Sequence, residues 1–264
     1  MQSVCKLVVV LALLDAVDRH QFLLEDSVTV HRQDLSLYVQ PLGKLTGPGG
    51  YQTTIGDLAR RDIVDSDSAA SDILMRKLGG PRQVQAFLER KAIQGVHIDR
   101  DERHLQTEIA GLEWRPEYTD PAILEHAIAA VPPLRRAEAY RRYQADPRDT
   151  ATPQGMTQLL YKLAIGKILS PVSTHYLLQV MTQTVTFPDR LKAGVPPGWA
   201  LAHKTGTSSS WHGLTAATND VGILTAPGGG SVAIAVFLGD ARASSQVRAA
   251  LTARLAATTI EAYR

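Results

Sequence analysis

The sequence predicts an α+β fold: a helical lobe, then an antiparallel sheet closed by a C-terminal helix. Three observations lead there. Helix-start signals recur through the first two thirds of the chain, at Thr54, Asp120-Pro121, Thr152-Pro153 and Ser170-Pro171. Each is a capping side chain, most with an N1 proline, ahead of apolar residues at helical spacing. From Ala200 the pattern changes to short strand-like runs at residues 200–207, 220–225 and 231–238. The second and third are joined by Pro227-Gly228-Gly229-Gly230, a connection too short for anything but antiparallel pairing.

Residues 1–14 also fit a signal peptide, with Lys6 as the charge and residues 7–14 as the apolar stretch. Asp15, Asp18 and Arg19 follow at once and no A-x-A site appears, so an amphipathic helix reaching Arg19 is expected instead. Residues 35–51 are rich in Gly and Pro and read as loop. Helices are predicted over 54–64, over 68–78 with Gly79-Gly80 as the stop, and from Pro81 with an apolar face of Val84, Phe87 and Leu88. The polar segment 106–148 holds two more, at 121–130 and 134–144, and a closing amphipathic helix spans 247–263. The division expected is a mainly helical lobe over 1–190, including an enlarged loop near 100–149, and a sheet with its helix over 191–264. Together they form one domain.

Among 264 residues, 28 are basic and 26 acidic, a net charge of +2 that argues against nucleic acid or an anionic membrane as the main partner. A single cysteine, Cys5, permits no internal disulfide and leaves the redox compartment open. The eight histidines form no H-E-x-x-H or similar cluster, so no metal is expected. No apolar run approaches the roughly 18 residues needed for a membrane span.

Three short motifs carry chemistry. Ser3-Val4-Cys5-Lys6 puts a hydroxyl and an amine on one helical face, where the amine can activate a weak nucleophile. Alone, the pair also fits a chance arrangement at a helix start. Ser66-Asp67-Ser68 offers a second hydroxyl for proton relay, or simply an N-cap cluster. Lys204-Thr205-Gly206-Thr207 lies on a predicted strand. There Lys204 can meet a carboxylate, Gly206 lets a ligand approach the backbone, and the NH of Thr207 can face an oxyanion. Its plainer reading is a solvated edge lysine before a turn glycine.

In this order, S-x-x-K, S-D-x and K-T-G resemble the signature of class A β-lactamases and penicillin-binding proteins. Met1-Gln2-Ser3-Val4-Cys5-Lys6, the helix after Ser66-Asp67-Ser68, and Ala217-Thr218-Asn219-Asp220-Val221-Gly222 extend the likeness across nearly the whole chain outside 106–148. The resemblance implies a β-lactamase/transpeptidase fold with its site between lobe and sheet. It makes Ser3 the nucleophile, Lys6 or Glu102 its activator, and Ser66 the proton relay. Ser68, Lys204, Thr205, Gly206 and Thr207 become substrate contacts. Glu102-Arg103-His104-Leu105-Gln106 resembles the family's Ω-loop motif E-x-x-L-N, with Glu102 as deacylation base and Gln106 in place of Asn. Tyr38 is a candidate wall of the site, or a half-buried loop aromatic. Arg100 and Asp149 are expected to pair at the neck of the loop. No cofactor is implied; the substrate is a β-lactam or peptidoglycan-like small molecule, the protein a monomer, and the setting periplasmic or secreted.

Departures from the pattern leave other readings open. Ser68 stands where the family has Asn and offers fewer hydrogen bonds. The segment from Glu102 to Asp149 is much longer than a standard Ω-loop and reads either as a lid or as a decorating hairpin. The chain starts at the catalytic helix, which points to coding sequence upstream of Met1, where an export signal would lie, and leaves 231–238 as an apolar sheet edge. The alternatives are a D-Ala-D-Ala peptidase or esterase with the same machinery, or an inactive truncated homologue.

Overall fold

The computed structural model describes residues 1–263. A 3-10 turn at Gln2–Val4 leads into α1 (Cys5–Asp18). Every residue of α1 from Cys5 to Ala16 is buried, so the amphipathic helix expected from sequence is instead the axis of the lobe. A helix apolar on all sides belongs in a core, and the rest of the lobe packs around it. The strands β1 (Ser27–Val30) and β2 (Tyr51–Thr54) pair antiparallel, from Ser27↔Thr54 to Val30↔Tyr51. Sequence patterning did not reveal them, because each is four residues long and a Gly/Pro-rich loop separates them.

The helices then follow their caps. Thr54 accepts from Asp57 N at the start of α2 (Ile55–Val64), and Asp67 accepts from Ala69 N and Ala70 N at the start of α3 (Ser68–Lys77). Pro81 opens α4 (Pro81–Arg90), whose Val84, Phe87 and Leu88 are buried as predicted. Asp101 caps α5 (Glu102–Ile109), a helix that the loop reading of this motif did not foresee. The inserted segment supplies α6 (Pro121–Ala129) and α7 (Pro133–Ala145). Thr152 and Ser170 cap α8 (Pro153–Ala164) and α9 (Pro171–Thr182).

The sheet contains β3 (Ala200–Thr207), β4 (Ser210–Trp211), β5 (Leu214–Thr225) and β6 (Ser231–Ala241), followed by α10 (Ser245–Tyr263). All pairings are antiparallel. The central strand β5 has β3 on one side (Ala200↔Thr225 to Thr207↔Thr218) and β6 on the other (Thr225↔Ser231 to Thr215↔Ala241). Strand alternation divides the apolar residues between two faces. Ala202, Val221 and Ile223 join the core of the helical lobe, whereas Leu201, Leu224, Ile234 and Val236 pack with Ala256 and Ile260 of α10. The β5–β6 hairpin runs well beyond the predicted strands, because the added part of β5 carries the polar Thr215, Thr218 and Asn219, which give no apolar strand signal although they are buried. No described helix is long and apolar enough to cross a membrane.

Cys5 provides a direct check on this packing. It is 6% exposed, and burial, reinforced by the Glu102 carboxylate, raises its thiol well above the ordinary value. The thiolate is the reactive form, so iodoacetamide is expected to leave the folded protein unmodified and to add one group in urea. An adduct formed at native conditions and comparable rate would contradict the buried placement of α1.

Candidate active site

The site forms where the N-terminal turn of α1 meets the end of β3. Ser3 lies within the 3-10 turn, just after Gln2, whose backbone is left-handed at φ 52. Gly206 of β3 presses directly on this turn. A Cβ there would lie 2.7 Å from Met1 O, 2.9 Å from Val4 N and 3.1 Å from Ser3 N, so only glycine allows the approach. Asn219 on β5 closes the joint by donating its Nδ2 to Met1 O at 2.8 Å.

A buried charge cluster forms around Lys6, three residues after Ser3. The Nζ of Lys6 donates to Ser66 O at 2.6 Å and Ser68 Oγ at 3.0 Å, and sits 3.5 Å from both Ser66 Oγ and Glu102 Oε1. From the opposite side, Lys204 Nζ donates to Ser66 Oγ at 2.9 Å and to Thr205 O at 3.1 Å. The Ser66 hydroxyl is thus held between two ammonium groups, and both lysines are 0% exposed.

Their titration differs. Burial pulls the Lys6 amine down, but the negative charge around it, that of Glu102 first, outweighs burial and the net shift is upward. Burial and then the charge of Lys6 lower Lys204. Lys6 is therefore the firmly charged member of the pair.

Glu102 is held at the first residue of α5. Its backbone NH donates to Asp72 Oδ1 at 2.8 Å, and its Oε2 accepts from Gln106 Nε2 at 3.1 Å. Asp72 is buried, also accepts from Ser36 Oγ at 2.6 Å, and is pushed up to about 7 by burial and by the neighbouring Asp101.

The expected neck of the loop is present. Arg100 Nε donates to Asp149 Oδ2 at 2.7 Å, while Asp149 Oδ1 accepts from the backbone NH of Asp99 (2.7 Å) and Arg100 (3.0 Å). Both side chains are buried. Removing one partner of a buried pair typically costs about 3–5 kcal/mol. Arg100 keeps Glu108 and Asp146 as neighbours, so Asp149→Ala is expected to cost about 3 kcal/mol in urea unfolding. A loss under about 1 kcal/mol would place the neck among the weak surface pairs.

A cavity of about 300 Å³ opens over this cluster, lined by Ser3, Tyr38, Ser68, Glu102, Gln106 and Thr207. Tyr38 lines this cavity and is half-exposed at its rim. Lys6, Ser66 and Lys204 stand behind the lining. Gly206 faces the turn at Ser3, and the hydroxyl of Thr205 is directed to Thr186 Oγ1 at 2.6 Å. Neither residue is among those lining the cavity.

Several residues escaped the sequence reading. Gln2, Val39, Ser208 and Ser209 also line the cavity. Arg190, 4% exposed, donates to Thr207 Oγ1 at 2.7 Å and Asn219 O at 3.0 Å, with its guanidinium 3.7 Å above the Phe187 ring. Asp62 is fully buried with neither carboxyl oxygen hydrogen-bonded to a described residue, and burial raises it well above the carboxylate range. Gln2 was legible as the neighbour of Ser3; Arg190 and Asp62 belong to no motif.

The turn at Ser3, two buried lysines sharing the Ser66 hydroxyl, and the Glu102 carboxylate at the start of α5 thus meet around one cavity. Along residues 1–263 the chain matches, and belongs to, the beta-lactamase enzyme family, in its class A branch. Among its relatives are beta-lactamase VEB-1 of Pseudomonas aeruginosa, 28% identical over all of this chain and 77% of that protein, and extended-spectrum beta-lactamase PER-1 of the same organism, 29% identical over 98% and 73%. Solved structures agree. A beta-lactamase from Chitinophaga pinensis DSM 2588 superposes with a TM-score of 0.80 at 27% identity, covering 100% of this chain and 85% of that one. TLA-3 extended-spectrum beta-lactamase gives 0.80 at 28%, covering 100% and 84%.

Proposed function

We propose that the chain is a serine β-lactamase that opens the β-lactam amide through an acyl-enzyme on Ser3 and hydrolyses that ester with Glu102. The observation that carries this reading is the Lys6 ammonium, bonded to Ser66 and Ser68 and ion-paired to Glu102, with Ser68 and Glu102 lining the same cavity as Ser3. A peptidase or esterase needs the acylation half of this arrangement; a carboxylate poised over the ester is what adds turnover.

With Lys6 held as an ammonium, the Glu102 carboxylate is the better acylation base, acting through a water. Ser3 Oγ attacks the lactam carbonyl carbon as its proton passes to Glu102. The oxyanion is stabilised by the NH groups of Ser3 and Thr207. When the C–N bond breaks, the Ser66 hydroxyl delivers its proton to the leaving nitrogen and is resupplied by Lys6, which recovers from Glu102 the proton taken from Ser3 and so restores the carboxylate. Glu102 then takes a proton from water as the oxygen of that water attacks the ester, and returns it to Ser3, which leaves as its alcohol.

The substrate carboxylate lies against Thr207, whose hydroxyl receives Arg190, with the charge of Lys204 behind. Ser68 is turned inward to Lys6 and leaves the substrate's acylamide less well held than an asparagine would. Lobe and sheet work as one catalytic domain, acting as a monomer in a periplasmic or secreted setting.

The test is a chromogenic cephalosporin with mass spectrometry of the quenched mixture. Turnover with a transient adduct on the peptide containing Ser3 is expected. A long-lived adduct with a fluorescent penicillin would favour the peptidase reading instead, and no adduct at all an inactive homologue.

A further inference from the structure

We propose that Tyr143, on the inserted helix α7, is a positioning residue for the deacylation step, acting on Glu102 through Gln2 and Gln106. The inference rests on the β-lactamase reading above and extends it to a segment that lies outside the resemblance on which that reading was built.

The chain of contacts is continuous. The Gln2 side-chain amide donates to the Tyr143 hydroxyl, and its Oε1 accepts from Gln106 Nε2 at 3.0 Å. The same Gln106 nitrogen donates its second hydrogen to Glu102 Oε2 at 3.1 Å. An amide NH2 has two hydrogens and no more, so this geometry fixes the Gln106 plane and leaves its Oε1 free towards the cavity. Gln2 is 2% exposed, which makes its loss of an acceptor costly and its reorientation the cheaper response. Burial pushes Tyr143 up to about 12, so the phenol keeps its proton at every working pH and the link does not titrate away.

The helix carrying Tyr143 is itself fixed. Tyr140 packs with Leu105 and Ile109 of α5, and its hydroxyl meets Ser209 O (3.0 Å), Leu214 O (2.8 Å) and Ala216 N (2.9 Å) on the sheet side. α7 thus braces α5 against the β4–β5 hairpin, and Tyr143 carries that brace one step further to the base. On these contacts the insertion is neither a free lid nor a decoration.

The experiment is a split of rate constants in the full chain, using a penicillin with stopped-flow and quenched-flow detection of the acyl-enzyme. Tyr143→Phe is expected to lower the deacylation rate constant about tenfold, the scale of one lost hydrogen bond, and to slow acylation as well, since Glu102 serves both steps, while the affinity for the unreacted penicillin is unchanged. Gln2→Leu cuts the same link from the other end, and the double variant should be no slower in deacylation than the worse single one.

Unchanged deacylation in both variants, or single effects that simply add in the double variant, would overturn the assignment and leave α7 a purely structural brace. Failure of the β-lactamase reading is distinguishable, because the parent chain itself would then form no acyl-enzyme that hydrolyses.

Discussion

Ser3→Ala is expected to abolish covalent labelling by penicillins and to cut β-lactam turnover by about 10⁴-fold or more, leaving only what binding and the oxyanion site contribute. The change removes one oxygen from a partly exposed position and no core volume. Gly206 and Asn219 still hold the turn through backbone atoms, so the folded structure and its melting temperature should be retained. This separation gives the test its force. A variant that loses labelling with an unchanged unfolding curve identifies the nucleophile. Persistent labelling would move it elsewhere, with Ser66 the first place to look.

Glu102→Gln is expected to arrest the enzyme halfway, with the acyl-ester intact and deacylation slowed by about 10³-fold, within the range for loss of a general base. Acylation should suffer less, for a reason visible in the charge cluster. Lys6 is raised because the negative charge around it, that of the Glu102 carboxylate first, outweighs burial. Once that carboxylate is neutral, the largest influence holding the proton on Lys6 is gone, the amine sheds it more readily, and Lys6 can accept the proton of Ser3. The same substitution that disables hydrolysis therefore opens a second route to the ester. Mass spectrometry after a brief exposure to penicillin should show full acylation persisting for many times the parent lifetime. Rapid return to free enzyme would exclude Glu102 as the deacylation base.

The parts of this molecule legible in the sequence are those whose cause is local. Thr54, Asp67, Asp120, Thr152 and Ser170 announce their helices because a cap bonds only two or three residues ahead. β3 and β5 were visible through their patterning, and the S-x-x-K, S-D-x and K-T-G motifs through their order. What stayed hidden depends on contacts distant along the chain. Arg190 meets Thr207 from a loop with no pattern of its own, and Gln2 meets Tyr143 across 141 residues. The apolar run in α1 suggested a helix with one wet face, but the lobe closes around it on every side. Asp62 reads as an ordinary polar residue on α2, and only the folded chain makes it an unpartnered carboxyl beside two lysines.

The phenol of Tyr140 has a consequence for how this protein breathes. Because one hydroxyl ties α7 to the backbone at Ser209, Leu214 and Ala216, neither wall of the cleft can open without breaking contacts that hold the other. Local opening is then a single cooperative event, not the swing of an isolated flap. Amide protons in α5, α7 and the β4–β5 hairpin accordingly share one protection energy, and the cleft admits bulky molecules at a rate set by that shared unit.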